Sequence, residues 1–355
     1  MPKLDLLVLV GGRSAERDIS CISAAAIVRN ADPAKYRVRL LHIDARGRWL
    51  LIDDPLAFAR HPRPDRFPFT GAPARLEFGT PRWLRAGARS FKVDAVFPAL
   101  HGPMGEDGTI QGLLEIAQVP YVGCDVLGSA VGMDKALSKK LAAQAGLPIL
   151  PYVAVAQGQG LAAARRLRFP VFVKPSRMGS SVGVFKVNKA SELSSAARRS
   201  FRYDTTILVE QGIKAREIEC ALLGSPSDVR ASIVGEIRPN AEFYSYDAKY
   251  LDPDGARIIV PAELDAARTR EVRALAVRAF QALGCHGLAR ADFFLDKADG
   301  RLYFNEVNTL PGFTQNSLYP KLWAASGIPF PRLIDRLVAL AIARWKTRAR
   351  LLIKP

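Results

Sequence analysis

The fold is decided by a stretch near the carboxyl end of the chain: Ala289-Arg-Ala-Asp-Phe-Phe-Leu-Asp296, the turn Lys297-Ala-Asp-Gly300, and Leu302-Tyr-Phe-Asn-Glu-Val-Asn308. Both outer segments are apolar and rich in aromatic residues, and the turn between them predicts a β-hairpin. A three-residue loop, 298–300, would place Asp292 directly opposite Glu306. A two-residue turn would shift the register by one residue and spoil that pairing.

Asn308 lies two residues beyond Glu306 and therefore projects from the same face of the predicted sheet. Together with Asp292, these residues present two carboxylates and an amide oxygen, a set of hard ligands suited to Mg²⁺ and its bound phosphates. The alternative interpretation is a solvated polar face. The hairpin alone does not decide between them.

Length and composition indicate a globular protein of two or three domains. The chain has 355 residues, of which 49% are hydrophobic and 24% are charged, as is typical of proteins with sizeable cores. No apolar run approaches the length of a membrane span. The first apolar run contains Asp5 and leads into Gly11-Gly12, so it predicts a buried strand rather than an export signal.

Cysteine usage and net charge exclude some classes of function. The four cysteines form no Cys-x-x-Cys pair and only four histidines are present, which argues against zinc and a disulfide scaffold and favours a cytoplasmic location. The formal net charge is +17, which could indicate a nucleic-acid partner. Because the arginines are spread along the chain without a nucleic-acid motif, we favour a basic surface that attracts small anions.

Alternating strand and helix patterns predict an α/β fold, with a Rossmann-like parallel sheet first and α+β character in the central and C-terminal parts. We expect domains at 1–132, 133–213 and 214–355. Residues 46–92 are rich in Arg, Pro and Gly and predict an irregular or hairpin excursion. The predicted strands are 4–10, 36–43, 94–100, 170–174, 182–187, 207–210, 217–223, 232–237 and the hairpin; the predicted helices are 14–30, 109–118, 136–145 and one from Pro331 onward.

A glycine- and serine-rich loop, Phe172-Val-Lys-Pro-Ser-Arg-Met-Gly-Ser-Ser-Val-Gly183, follows a strand that ends in a lysine. Glycines let backbone N–H groups approach an anion, and Lys174 could neutralise phosphate charge. The loop lacks the Gly-Lys-Ser/Thr of a P-loop and the helix that follows one. A tight Gly-Ser hairpin is the alternative interpretation.

A second segment, Ile207-Leu-Val-Glu-Gln-Gly-Ile-Lys-Ala-Arg-Glu217, ends an apolar strand with one acid and places another seven residues later. This spacing suits a purine nucleoside, with Glu210 at the adenine edge and Glu217 accepting from the ribose hydroxyls. For either acid alone, a solvated surface position is the simpler interpretation.

Together the motifs resemble the D-alanine–D-alanine ligase family of the ATP-grasp superfamily, over nearly the whole chain except 46–92 and the basic tail. The motifs that carry the resemblance are Gly11-Gly-Arg-Ser-Ala-Glu-Arg17, His101-Gly-Pro-Met-Gly-Glu-Asp-Gly108, Met133-Asp-Lys135, Lys174-Pro-Ser176, Gly179-Ser-Ser181, Tyr246-Asp-Ala-Lys-Tyr250, Arg290-Ala-Asp292 and Asn305-Glu-Val-Asn-Thr-Leu-Pro-Gly312. The resemblance implies a three-domain ATP-grasp architecture. It also implies ATP-dependent ligation of two D-alanine molecules for peptidoglycan, through an acyl phosphate and with release of ADP and phosphate.

The resemblance also implies a role for each matching residue. For ATP, these are Lys135, Lys174 and Lys249 at the phosphates, Glu210 and Glu217 at adenosine, and Ser181, Gln211 and Ile213 elsewhere in the nucleotide site. For the metals, they are Asp292, Glu306 and Asn308, which would hold two Mg²⁺ ions with Mn²⁺ able to substitute. For the amino acids, they are Glu16 and His101 at the first D-alanine, Ser317 and Leu318 at the second, Glu16, Ser180 and Tyr250 in a closing hydrogen-bonded group, and Arg290 with the Gly312 N–H at the tetrahedral intermediate.

The resemblance further implies a homodimer, with no specific nucleic-acid partner and no membrane insertion. Arg216, Met178 and Leu310 are tolerable departures from the family pattern, whereas Asn305 adds a polar group without an assigned role. Tyr250 argues against D-lactate as second substrate, while D-serine stays open, as does another ATP-grasp carboxylate–amine ligase. A dinucleotide-binding dehydrogenase fits poorly because the full Gly-x-Gly-x-x-Gly spacing is absent.

Overall fold

The computed structural model describes residues 2–80, 83–239 and 255–351, which form three β-sheets with helices packed against them. The α/β class expected from the sequence is confirmed. Each expected domain contains one of the sheets, although the domain boundaries themselves stay a prediction. Among the described residues, none of the helices has the length and apolar character needed to span a bilayer. The helices are α1 (Arg17–Asn30), α2 (Pro55–Arg60), α3 (Thr109–Ile116), α4 (Val126–Met133), α5 (Lys135–Gln144), α6 (Leu193–Ser200), α7 (Ala266–Ala282), α8 (Leu318–Ala325) and α9 (Phe330–Ala349).

The first sheet has a parallel centre and an antiparallel extension. Its strands are β1 (Leu4–Gly11), β2 (Tyr36–Ile43), β3 (Trp49–Ile52), β4 (Gly71–Leu76), β5 (Leu84–Ala86), β6 (Arg89–Phe91) and β7 (Ala95–Pro98). β1 pairs in parallel with β2 and β7, as expected for a Rossmann-like core. The segment 46–92 is more regular than expected, because β3 to β6 continue the sheet in antiparallel pairs beyond β2.

Helix α1 begins three residues later than the sequence predicts. Ser14 does not start the helix, because its hydroxyl donates to the carbonyl of His101 at 2.6 Å and accepts from the N–H of Glu16 at 3.2 Å. Glu16 occupies the N-cap position but makes no side-chain capping hydrogen bond. Its carboxylate is therefore directed away from the helix end.

The second sheet carries the glycine- and serine-rich loop. Its strands are β8 (Tyr152–Ala156), β9 (Val171–Pro175), β10 (Phe185–Val187) and β11 (Thr206–Gln211), in the order β10-β9-β11-β8. The strand predicted at 182–187 begins only at Phe185. Ser180, Ser181 and Gly183 have φ values of +51°, +59° and +72°, and this left-handed backbone lengthens the loop at the expense of the strand.

The third sheet contains the hairpin that opened the sequence analysis. Its strands are β12 (Ala215–Ser225), β13 (Asp228–Pro239), β14 (Ala256–Ile259), β15 (Gly287–Asp296) and β16 (Leu302–Asn308), in the order β14-β13-β12-β15-β16. Asp292 lies opposite Glu306, so the predicted pairing is confirmed. The predicted three-residue loop is wrong. The N–H of Asp296 donates to the carbonyl of Arg301, so the four residues 297–300 form the turn.

A β-bulge reconciles the longer turn with the predicted pairing. Near the turn Phe293 lies opposite Phe304, one register step away from the pairing of Asp292 with Glu306. The extra residue is Asn305, which this bulge inserts beside Glu306 on the cavity side of the strand. Asn305, which had no assigned role in the sequence analysis, thus restores the register in which Asp292 pairs with Glu306.

Phe304 anchors this strand from the core side. Its side chain is fully buried, meets the Phe293 ring edge-on at a centroid distance of 6.0 Å, and joins the cluster under helix α7. Its N–H also donates to the carbonyl of Pro148 at 2.8 Å. The core contacts of one aromatic residue therefore hold the strand that carries Glu306.

We expect Phe304→Ala to lower the free energy of unfolding by about 3–5 kcal/mol, because it leaves a cavity in a closed core. Phe78→Ala is the matched control, since Phe78 is 54% exposed, and it should change stability by less than about 0.5 kcal/mol. Urea unfolding followed by circular dichroism measures both. Equal losses for the two variants would contradict the anchoring role of Phe304.

Candidate active site

A cavity of about 580 Å³ is lined by residues from all three expected domains. The sequence-predicted residues that line it are Glu16, His101, Lys135, Ser180, Glu217, Arg290, Asp292, Glu306, Asn308, Gly312, Ser317 and Leu318. Five further sequence-predicted residues do not line the cavity and lie in the second sheet or its loops: Lys174, Ser181, Glu210, Gln211 and Ile213. Lys249 and Tyr250 fall outside the described residues.

The hairpin presents its oxygen ligands to this cavity. Asp292 and Glu306 are opposite each other, and Asn308 is opposite Arg290 two pairs further along, on the same face. The Asn308 side-chain oxygen accepts from the N–H of Leu310 at 3.0 Å, which orients the amide. Two carboxylates and an amide oxygen fit Mg²⁺, which completes its coordination with water and phosphate oxygens.

The same carboxylates are neutralised by cations of the protein. The Arg290 guanidinium contacts both Asp292 oxygens at 2.7 Å and Glu219 at 2.6 Å. Although burial disfavours the charged form, these acids raise the pKa of Arg290 well above its ordinary value. Lys135 lies 3.1 Å from Glu306. Within the described residues, no group of three or more acids, histidines or cysteines could hold a metal ion by itself, so a cation here would also use Asn308 and substrate oxygens.

A buried ionic cluster lies at the end of β9, where the glycine- and serine-rich loop begins. Glu210 is 3% exposed, and its two oxygens lie 2.5 Å from the ammonium groups of Lys139 and Lys174. Burial opposes ionisation of Glu210, but the two lysines outweigh it and lower its pKa. Because its carboxylate faces the lysines, a contact of Glu210 with the adenine edge stays a prediction. Glu217, two strand positions from Glu219, lines the cavity instead.

Glu16 reaches across the cavity to the glycine- and serine-rich loop. The Ser180 hydroxyl donates to the Glu16 carboxylate, as the predicted closing group requires of these two members. Gly102 leaves room for that carboxylate, since a Cβ there would stand 2.4 Å from a Glu16 oxygen. A second contact holds the same loop, because the Lys135 ammonium group donates to the carbonyl of Met178 at 2.7 Å.

His101 connects the first domain to the loop after β16. Its Nδ1 lies 3.1 Å from the carbonyl of Leu310, and its Nε2 lies 3.0 Å from the Ser23 hydroxyl. A carbonyl oxygen only accepts, so Nδ1 carries the proton. Burial opposes protonation, but Glu106 at 3.4 Å outweighs it and raises the pKa of His101. The imidazole is therefore fixed in orientation at one wall of the cavity.

The start of helix α8 forms another part of the cavity lining. Ser317 is its N-cap residue, and the Ser317 hydroxyl accepts from the N–H of Thr314 at 3.0 Å. A Cβ at Gly312 would stand 2.9 Å from that hydroxyl, so the glycine keeps its backbone accessible beside Ser317. Leu318 is 4% exposed and packs against Gly235. Its side chain therefore supports the cavity wall mainly through packing.

Three residues at the site were not found from the sequence: Lys139, Glu219 and Glu106. Lys139 lies one helical turn after Lys135 and therefore on the same side of helix α5, which is a signal that could have indicated it. Glu219 lies two positions beyond Glu217 and so shares its strand face. Glu106 lies within the His101 motif, but nothing in the sequence indicates that the two side chains meet.

Comparison with known proteins agrees with this geometry. The family described as "D-ala D-ala ligase N-terminus" matches residues 5–124, and "D-ala D-ala ligase C-terminus" matches residues 141–339. A D-alanine–D-alanine ligase A from Bradyrhizobium diazoefficiens is 48% identical, with 98% of each chain covered. A D-alanine–D-alanine ligase from Heliobacterium modesticaldum is 46% identical, covering 99% of this chain and 98% of that protein.

Solved structures show the same architecture. The D-alanine–D-alanine ligase from Coxiella burnetii aligns with a TM-score of 0.89 at 38% identity, covering 98% of this chain and 96% of that chain. A D-Ala:D-Ser ligase from Enterococcus faecalis aligns with a TM-score of 0.87 at 34% identity, covering 96% of this chain and 100% of that chain. With both family segments matched in order around one cavity, the chain belongs to the D-alanine–D-alanine ligase family.

Proposed function

We propose that this chain joins two D-alanine molecules into D-alanyl-D-alanine for peptidoglycan synthesis, converting ATP to ADP and phosphate. The observation that carries the proposal is that Asp292, Glu306, Arg290 and Glu16 all line one cavity. That cavity supplies cations for phosphates, oxygen ligands for a metal, and an acid for a substrate ammonium group. Relatives of this family at 48% and 46% identity are named for this activity. We expect it to act in the cytoplasm as a homodimer.

ATP binding is assigned to the second sheet and the edge of the third. Lys135 and Lys174 would meet the phosphates, and Lys249 would add a third cation from the segment 240–254. Glu210, Gln211, Ile213 and Glu217 would surround adenosine, and Ser181 would donate to a phosphate from the loop. Binding at this site is mainly positioning and charge neutralisation, which is what phosphoryl transfer requires.

Asp292, Glu306 and Asn308 would hold two Mg²⁺ ions, with Mn²⁺ able to substitute. A bound metal would neutralise charge on the transferred phosphoryl group. Because Arg290 and Lys135 neutralise the same carboxylates in the structure, they would share these acids with a bound metal. Arg290 would thereby be kept beside the reacting carbonyl.

The amino-acid substrates lie on the side of Glu16 and Ser317. Glu16 would bind the ammonium group of the first D-alanine, with His101 at the wall of the same pocket. Phosphorylation of the first carboxylate gives an acyl phosphate, which the amine of the second D-alanine attacks with loss of phosphate. Arg290 and the N–H of Gly312 would stabilise the oxyanion, while Ser317 and Leu318 would position the second substrate. The loop containing Ser180, with Tyr250 as a partner, would exclude water.

D-serine as second substrate is the alternative that a specific observation favours, since a D-Ala:D-Ser ligase shares this architecture at a TM-score of 0.87. Supplying ATP with D-alanine alone, then with added D-serine or D-lactate, separates the options. We expect ADP release with D-alanine alone and formation of the D-alanine dipeptide. Absence of ADP release with D-alanine as sole amino acid would overturn the proposal.

Removing one metal-binding carboxylate should abolish most activity. We expect Glu306→Gln to lower kcat by at least about a hundredfold, because charge neutralisation at a transferring phosphoryl group is lost. Asp299→Asn makes the same chemical change at the exposed turn of the same hairpin and should leave kcat unchanged. Coupled-enzyme detection of ADP measures both. Turnover of Glu306→Gln near that of Asp299→Asn would show that the metal site is misplaced.

The space beside Glu16 offers a second test. Gly102→Ala should displace the Glu16 carboxylate and raise the KM for D-alanine about tenfold or more, since a charged hydrogen bond to the substrate is weakened. Gly79→Ala is the control, because Gly79 has nearly the same φ, +74° against +73°, and a Cβ there meets nothing within 4 Å. Both variants strain the backbone equally. If both raise the KM alike, strain rather than Glu16 is responsible.

A further inference from the structure

We infer that Lys139 is a positioning residue for the phosphate-binding lysine of this site, a role that rests on the proposed use of ATP. Lys139 is fully buried in helix α5. Its ammonium group lies 2.5 Å from one oxygen of Glu210 and 3.3 Å from the carbonyl of Phe304. A side chain with no exposed surface does not touch a ligand, so Lys139 acts on one through the groups it contacts and through its charge.

The first of those groups is Glu210, which Lys139 shares with Lys174. Lys174 lies 2.5 Å from the second Glu210 oxygen and 3.5 Å from the amide oxygen of Asn305. Unlike Lys139, it keeps some exposure, 11% of its side chain. With all three groups ionised, the two lysines and one carboxylate together carry one net positive charge, and the lysine at the opening of the cluster is the one that can present it to a phosphate. Burial lowers the pKa of Lys139, and Glu210 at 2.5 Å opposes that shift.

Charge balance gives Lys139 its function. If Lys139 were neutral, Glu210 and Lys174 would form a closed pair with no net charge, and the ammonium of Lys174 would be held by the whole carboxylate. With Lys139 present, one of the two Glu210 oxygens already has a charged partner. Lys174 is then oriented by Glu210 without being neutralised by it, and the cluster attracts an anion.

The second contact links this cluster to the metal side of the site. Phe304 lies in β16, immediately before the Asn305 bulge and two residues before Glu306. Lys139 therefore connects helix α5, the second sheet through Glu210, and the third sheet through Phe304. The phosphate-binding lysine and the carboxylate of the opposite sheet are fixed relative to each other by one buried side chain.

The experiment compares the affinity for ATP with the affinity for adenosine, which lacks phosphates. We use calorimetry on the full chain with Mg²⁺ and without D-alanine. Lys139→Met should reduce the ratio of ATP affinity to adenosine affinity about tenfold, as expected for weakening one charged interaction. Lys140→Met is the matched control, because Lys140 is the exposed neighbour on the same helix, and it should keep the wild-type ratio.

A double variant tests the charge balance itself. Lys139→Met combined with Glu210→Gln leaves Lys174 as the remaining charge of the three, so the net charge returns to the wild-type value. We expect the ratio to recover to within about threefold of wild type. Because no unpaired buried carboxylate remains, this variant also decides the matter where Lys139→Met alone does not fold.

Three results would overturn the inference: an unchanged ratio in Lys139→Met, an equal loss in Lys140→Met, or a double variant as weak as the single one. A purely structural role would lower the folded fraction and leave the ratio unchanged. If the wild-type chain binds neither ATP nor adenosine, it is the proposed function that fails, and that result is distinct from every outcome above.

Discussion

Pairing of opposite charges in a partly buried space is the constraint on which the site depends. Unpaired ions would destabilise the fold, because burial removes the water that solvates them. Arg290 therefore neutralises Asp292 and Glu219, Lys135 approaches Glu306, and Lys139 of helix α5 and Lys174 of the second sheet flank Glu210. A ligand that exchanges partners within this set of charges finds them already brought together, so little reorganisation is needed.

Backbone geometry determines where these charges can stand. The hairpin places Asp292 and Glu306 opposite each other only because Asn305 adds a residue to β16. Phe293 and Phe304 are buried in the core, while Asp292 and Glu306 line the cavity. Alternation along β15 separates Asp292 from Phe293, and the bulge at Asn305 separates Phe304 from Glu306. The core and the site are thus the two sides of one ribbon.

Much of this arrangement could be predicted from the sequence. The alternating pattern located β2 and β16 at their observed bounds, and it paired Asp292 with Glu306 correctly. The turn length was wrong because a bulge compensates for it, and a bulge leaves no periodic signal. The start of α1 was missed because Ser14 bonds to His101, a residue distant in sequence. Lys139 and Glu219 were missed for a similar reason, since their partners come from other elements of the tertiary structure.

The contacts of His101 and Ser23 have a consequence for how the molecule could be divided. The Ser23 hydroxyl accepts from the N–H of Phe313 at 3.2 Å, and His101 bonds to Leu310. Ser23 and His101 lie in the segment 5–124, whereas Phe313 and Leu310 lie in the segment 141–339. The family is described by separate N-terminal and C-terminal units that match these two segments. Fragments made from these units would each carry an incomplete wall of the cavity, and complementation between them would depend on rebuilding this interface.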